Sequence, residues 1–428
     1  MIGTARWSTR SVAVAQRGSG MGSVLGGVRA DRRLAVVAVG SGASHLGAQL
    51  TLIGFTAELA GSGPFAVAGL FVAAAFGAAL GTPLAGWAVD RFANRMVLAV
   101  AVCAQVVLLV GLLFAHPWPP ALYPLVALVS ACAGVARTCA STLTVGDGGR
   151  RLSSAQNTGS VAGIVLGGVL AAGPGIEVAL MLDAVVTFAH LVMVVWLGVD
   201  RDPDRDDGVT AVPGGQWSGW VLLRSDQLLL GRVVAQAVAG VAVAIALVNE
   251  VFLVLGPIGG NGFTYSAVLV CWTAGLLIGP RLAPRATGPR ALVAASSAAG
   301  LVLALALAAP ALAPTLPVNA AAWLVAGACG SVLSTTLTGL VELRAPEPVR
   351  DRVAATVNAI TVGSGTVAIV VAGVVVGAAG PLAAPAVASG FAAVACLMAA
   401  LAVLRRDHLR GSVVAPDFEP AHEHAARL

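Results

Sequence analysis

Apolar stretches of twenty residues or more alternate with short polar breaks along almost the whole chain. Twelve such stretches can be drawn. They run at roughly 34–57, 65–88, 96–115, 121–145, 154–173 and 178–198, and then at roughly 229–254, 264–283, 291–310, 316–341, 353–378 and 384–404. Each is long enough, at about 1.5 Å per residue, to cross a hydrocarbon core of ~30 Å as a helix. The pattern therefore predicts an all-α polytopic membrane protein with twelve transmembrane helices. The spans fall six and six around a polar break at 199–228, whose Asp200-Arg201-Asp202-Pro203-Asp204-Arg205-Asp206-Asp207 run has the composition of a solvated linker.

The expected organisation is a cytoplasmic N-terminal segment (1–33), a six-helix bundle (34–198), a cytoplasmic linker (199–228), a second six-helix bundle (229–404) and a cytoplasmic tail (405–428). The N-terminal segment is rich in Gly, Ser and Arg and reads as disordered; Met21 within it is a second possible start. A secretory signal does not fit, because the apolar run from Leu34 is too long and more spans follow. The halves resemble one another. Arg150 and Arg151 precede the fifth span much as Arg350 and Arg352 precede the eleventh. Two related six-helix halves on one chain predict a transporter with its site between them near the midplane.

Composition agrees. The 428 residues are 58% hydrophobic and 11% charged, against about 25% charged in a soluble protein. Mean hydropathy is +0.90. Ala, Gly, Val and Leu supply most of the apolar surface, and small residues let membrane helices approach closely. All 25 basic residues are arginine. With an inside N-terminus they crowd the inside loops, from Arg91 and Arg95 to the tail, while the outside turns near 58–64, 116–120, 173–177, 256–263, 311–315 and 379–383 hold none. The positive-inside rule then places both termini in the cytoplasm of a plasma-membrane protein. Arginines in short loops give no nucleic-acid surface. The six cysteines lie in apolar segments without metal-ligand spacing, and His408, His422 and His424 are too dispersed for a metal site, so no metal or catalytic centre is expected.

The polar residues that interrupt this pattern are the candidates for function. Gly86-Trp87-Ala88-Val89-Asp90-Arg91-Phe92-Ala93-Asn94-Arg95 reads as a tight inside turn between spans two and three. Gly86 is expected to let two backbones approach, and Asp90 to meet a helix N-terminus or an arginine. Arg137 lies well inside span four, where a charge needs a partner or a water-filled cavity. It is expected to face a cavity or, in the blander reading, to snorkel or pair with Asp90. Asp183 in span six and Glu250 in span seven are intramembrane acids. A carboxyl in a low dielectric can exchange protons near neutral pH, as proton-coupled transport requires. The competing reading makes both acids solvated groups near the outer rim. His45 and Gln49, one turn apart on span one, are candidate cavity lining. His190, Gln105, Gln236 and Asn358 read as packing hydrogen bonds.

The 86–95 turn resembles the signature loop of the major facilitator superfamily, Gly-x-x-x-Asp-Arg-x-x-x-Arg. Its lead-in Pro83-Leu84-Ala85-Gly86 is similar to the macrolide and enterobactin-type exporters of that family. So are Ser44-x-x-Gly47, Ala136-Arg137-Thr138, and Arg151-Leu152-Ser153-Ser154-Ala155-Gln156-Asn157 followed by the packing glycines Gly163, Gly167 and Gly168. The likeness covers about 34–404. Ala48 stands where the branch often has an acid, Gly163-Ile164 where its antiporter motif usually has Gly-Pro, and the second-half turn Gly279-Pro280-Arg281 has no acid.

The resemblance implies the major facilitator fold of two pseudo-symmetric six-helix bundles. It also implies efflux of a small hydrophobic or amphipathic compound such as a drug, antibiotic or siderophore. The drive would be proton entry, with alternating access and Asp90, Arg91 and Arg95 latching the inner gate. The expected partners are the substrate, protons and the lipid bilayer, with the chain acting as a monomer and without a cofactor. No nucleotide-binding P-loop is visible. Proton-coupled nutrient uptake is the alternative. A membrane enzyme would need polar catalytic residues clustered at a membrane face, where the inside loops offer mostly arginine.

Overall fold

The computed structural model describes residues 20–116, 118–143, 147–197, 218–283 and 288–408. Twelve α-helices appear among them: α1 Gly20–Leu59, α2 Pro64–Val89, α3 Asn94–Ala115, α4 Pro119–Leu143, α5 Asp147–Ala172, α6 Ile176–Leu197, α7 Ser218–Ser225, α8 Gln227–Leu255, α9 Gly262–Leu282, α10 Pro289–Leu312, α11 Leu316–Arg344 and α12 Arg350–His408. Eleven are long and apolar enough to cross a membrane. The last carries 49 such residues, Arg352–Ala400, twice what one crossing needs. It breaks at Gly380 (φ 75°, ψ 171°), a conformation that costs glycine little and other residues much. Pro381 follows and lacks the N–H that would continue the helical ladder. Asn249 of α8 donates to the Pro381 carbonyl at 3.1 Å and pins the break. The twelve expected crossings are thus present, two of them in α12.

Two expectations about the ends are corrected. The segment 1–33 does not read uniformly as disordered: from Gly20 it continues the helix of the first span. The linker 199–228 ends in α7, which is packed: Leu223 is fully buried among Leu229, Val293, Leu340 and Val353. A Cβ on Gly219 would meet Thr356 and Arg352 of α12. The Asp200–Asp207 run, residues 1–19 and the tail beyond 408 lie outside the described residues.

The helices cluster into two units, Met1–Val209 with Gly259–Val270, and Thr210–Ile258 with Cys271–Leu428. In the first unit α1 packs on α5 and α6, α2 on α4, and α3 on α4 and α6. In the second, α8 and α10 pack on α12, and α10 on α11. Small residues set the closest approaches. On α2, a Cβ on Gly77 would overlap the Ala127 carbonyl of α4, and one on Gly81 would overlap that of Ala131. On α9, Gly275 meets the Leu324 carbonyl of α11 in the same way, and Gly279 meets Ala328 and Ser331. Both units therefore use a glycine pair four residues apart on one helix face. Gly279, expected in a turn, belongs to this packing pair.

Gly86 does not carry the close approach expected of it, since a Cβ there would meet nothing within 4 Å. A glycine in a charged turn at a helix end has solvent to face; the glycines in mid-span have a neighbouring backbone. Gly77→Val should therefore lower stability by about 1–3 kcal/mol, read as a fall of several degrees in the thermal midpoint of the purified protein, while Gly86→Ala leaves the midpoint in place.

Candidate functional site

Within the first unit lies a chamber of about 200 Å³ bounded by α1, α2, α3, α4 and α6. Most of its wall is apolar, with Leu52, Phe55, Leu70 and Leu112 among the lining residues. Its polar points include Gln49, Gln105, Ser130, Arg137 and Asp183.

Asp183 is 1% exposed. Its Oδ2 accepts from the Thr51 hydroxyl of α1 at 2.7 Å, and its Oδ1 from Thr187, one turn on along α6, at 3.1 Å. Gly47 makes the room: a Cβ on it would overlap Asp183 Oδ1. The sequence singled out Ser44-x-x-Gly47 and Asp183 separately, and the structure joins Gly47 to the acid. Asp183 has no ion-pair partner among the described residues. Both of its donors are hydroxyls, which can rotate to accept as well as donate. The carboxyl is thus matched as an anion and can also be matched as an acid, and the reading of Asp183 as a solvated helix-end group does not hold.

Arg137 reaches the chamber from α4. It makes no hydrogen bond or ion pair among the described residues, and in particular none with Asp90. Gln105, expected to make a packing hydrogen bond, is fully buried with neither amide atom partnered and lines the chamber. His190 likewise has no partner on either ring nitrogen. Asn358 is exposed and Gln236 leaves its Oε1 unpaired. Gln49 lines the chamber as expected. His45 lies 2.9 Å through Nδ1 from the Ser41 carbonyl, so Nδ1 carries the proton. His45 lines a smaller recess beside the chamber.

Glu250 lies in the second unit. It is 2% exposed, so the rim reading fails here too. Asn319 Nδ2 donates to Oε1 at 2.5 Å and Trp323 Nε1 to Oε2 at 2.6 Å. Trp323 is braced edge-on by Trp272, with ring centroids 5.3 Å apart. Only about 10 Å³ of free space adjoins this acid.

In the 86–95 turn, Arg95 donates to the Val195 carbonyl at 2.6 Å and so caps the C-terminus of α6. Arg91 sits 4.5 Å above the Trp87 ring. Asp90 is exposed and its carboxylate makes no hydrogen bond or ion pair among the described residues. The α5 glycines do pack closely. Gly163 meets Leu46 and Gln49, and Gly167 meets Leu50 and Ile53, all on α1. Gly168 turns instead to Gly262 and Ser266 at the start of α9.

Two features were missed. Asp226 caps α8 by accepting from the Leu228 and Leu229 amides at 3.0 and 3.2 Å, and it pairs with Arg344 of α11. Its position just before an apolar run is an N-cap signal that the linker reading hid. Arg232, three residues inside the seventh span, is 1% exposed and, among the described residues, reaches only the Leu333 carbonyl, at 3.5 Å.

Twelve apolar crossings in two helical clusters, with a lined intramembrane chamber, define a polytopic membrane transporter. The family model of the Major Facilitator Superfamily matches residues 24–318, more than half of the chain, and the chain belongs to that superfamily. It is a multi-pass secondary transporter working by alternating access, and not an enzyme. Among solved structures it is similar to the nucleoside transporter NupG (13% identity, TM-score 0.71, covering 87% of this chain and 99% of that one). It is also similar to the POT family transporter PepTSo (12%, 0.67, 89% and 99%), and to a bacterial homologue of the human lysosomal transporter Spinster (13%, 0.58, 88% and 96%). At such identities the likeness is one of fold. No curated protein matches the sequence significantly.

The Asp183 site predicts a coupling. Thr51→Val keeps the shape but removes a donor from a buried carboxylate, and should cost about 1–3 kcal/mol. In the Asp183→Asn background the same substitution should cost clearly less. A double-mutant cycle on thermal or denaturant unfolding measures the difference; equal costs in both backgrounds would show that the bond contributes nothing.

Proposed function

We propose that this transporter exports a small hydrophobic or amphipathic compound in exchange for protons, with Asp183 as the proton-carrying group. The observation that carries the reading is a buried carboxyl in the wall of a mainly apolar chamber, without an ion-pair partner among the described residues and held by rotatable hydroxyls. Proton entry would change the charge of the wall that a substrate meets, and so bias which conformation binds it. The protein would lie in the plasma membrane as a monomer with both termini in the cytoplasm, as the arginine distribution supports. Drugs, antibiotics or siderophores are the compounds suggested by the resemblance to macrolide and enterobactin-type exporters. Glu250 is the second proton candidate, disfavoured because Trp323 can only donate. The 86–95 turn would be the inner gate, with Asp90 as its mobile contact.

Proton-coupled uptake of a polar nutrient is a second reading. Gln49, Gln105 and Arg137 in the chamber wall favour it, as does the likeness of fold to the nucleoside transporter NupG and the POT family transporter PepTSo.

Transport by the purified chain in vesicles with an imposed pH gradient separates these readings. Export predicts substrate movement against the proton flux, and collapse of accumulation with an uncoupler. Asp183→Asn should abolish gradient-driven accumulation while downhill exchange persists. Accumulation that ignores the gradient sinks proton coupling, and accumulation along the proton flux favours uptake.

The turn has its own test. Asp90→Asn should slow turnover by about tenfold or more with normal membrane insertion; a wild-type rate would reduce the turn to a topological role.

A further inference from the structure

Next to the chamber, and sharing Ala48, Ala133 and Arg137 with it, is a recess of about 30 Å³. That is room for roughly two water-sized groups, enough for the head of a molecule whose body lies in the chamber. Ser41, Ser44, His45, Ala136 and His190 complete its lining, and no acidic side chain is among them. His190 is 3% exposed, packs against Gly40 of α1, and has neither ring nitrogen satisfied. A neutral imidazole always has one N–H to give, and here nothing receives it. Arg137 brings a permanent charge to the boundary of recess and chamber, without an acceptor among the described residues. Asp183 makes no ion pair with it: the carboxylate is held by Thr51 and Thr187, and it lines the chamber but not the recess. Ser41 is itself held by Gln156, whose Nε2 donates to the Ser41 hydroxyl at 2.8 Å. The recess thus sets the unpaired N–H of His190 beside Arg137, which has no ion-pair partner among the described residues, while His45 spends its own N–H on the Ser41 carbonyl.

We infer that the recess binds the anionic head, a carboxylate or similar oxyanion, of an amphipathic substrate whose apolar body fills the chamber. Arg137 supplies the charge, and His190 the buried N–H donor. This rests on the transport reading above but fixes the polarity of the cargo, and equilibrium binding without any gradient tests it apart from proton coupling.

The probes are 1-naphthoate, 1-naphthalenemethanol and 1-naphthylmethylamine, which share one body and differ in the charge of the head. They are titrated into the full chain in phosphatidylcholine nanodiscs, with empty discs subtracted. Naphthoate should bind about tenfold tighter than the other two. Arg137→Gln should bring the three within about twofold, and Arg137→Lys should keep the preference. His190→Gln should weaken naphthoate roughly threefold and leave the alcohol unchanged. Ser44→Asp keeps Arg137 but puts a carboxylate into the recess, and should remove the naphthoate preference without loss of alcohol binding. Equal binding of the three heads, no binding of any, preference for the amine, or a preference that survives Arg137→Gln would each overturn the assignment. Anionic phosphatidylglycerol discs should leave naphthoate affinity unchanged; a loss there would give the recess to lipid headgroups and overturn its assignment to a solute.

Discussion

The contact between α1 and α6 at Gly47 and Asp183 sets the terms for the rest of the first unit. In hydrocarbon a polar group has no water to fall back on, so it must find its partner inside the bundle. Asp183 finds Thr51 only because Gly47, one turn earlier on α1, leaves the carboxylate its space. Another flank of α1 is drawn in by Gly159, Gly163 and Gly167 of α5, whose missing side chains admit the α1 backbone. α1 is therefore fixed from two sides, by an acid on one and by absent Cβ atoms on the other. The residues it presents to the chamber, Gln49, Leu52 and Phe55, inherit that placement.

The two units repeat the glycine pairing of their second and fourth crossings but treat their buried acids differently. Asp183 borders free space and is held by hydroxyls that can reverse their role. Glu250 has almost no free space, and one of its donors is an indole that cannot accept. Asn319 has a spare Oδ1 that a turn of its amide could offer to a protonated Glu250; Trp323, held against Trp272, has nothing comparable. Glu250 is thus built as a brace joining α8 to α11, and its neighbour Asn249 pins the glycine-dependent break in α12. The repeated fold supplies two positions for an acid, and the partners decide what each acid can do.

The spans were legible because bilayer thickness sets the length of an apolar run, and hydropathy reports that length directly. The ends were not, because helix continuation at 20–33 and the docking of α7 depend on local hydrogen bonding and packing rather than apolarity. Asp183, Arg137 and Gln49 stood out as polar interruptions of greasy helices, and the structure places all three on one chamber. Gln105 and His190 stood out in the same way, yet nothing in one dimension tells a satisfied polar side chain from an unsatisfied one. That distinction is the whole content of the recess. Gly86 misled for the converse reason: a glycine's value lies in what would occupy its Cβ, and a charged turn gave no sign that the answer was empty space.

The same turn shows how a structure separates committed from uncommitted charge. Arg95 terminates α6 through Val195, and Arg91 lies on Trp87. Both cations would have to abandon a contact to do anything else. Asp90, exposed, makes no such contact among the described residues. Any conformation that brings a helix N-terminus or a free guanidinium to it gains an interaction without breaking one. The acid, rather than its better-placed arginine neighbours, is therefore the member of the signature whose interaction energy can differ most between two states, and a difference between states is what a gate consists of.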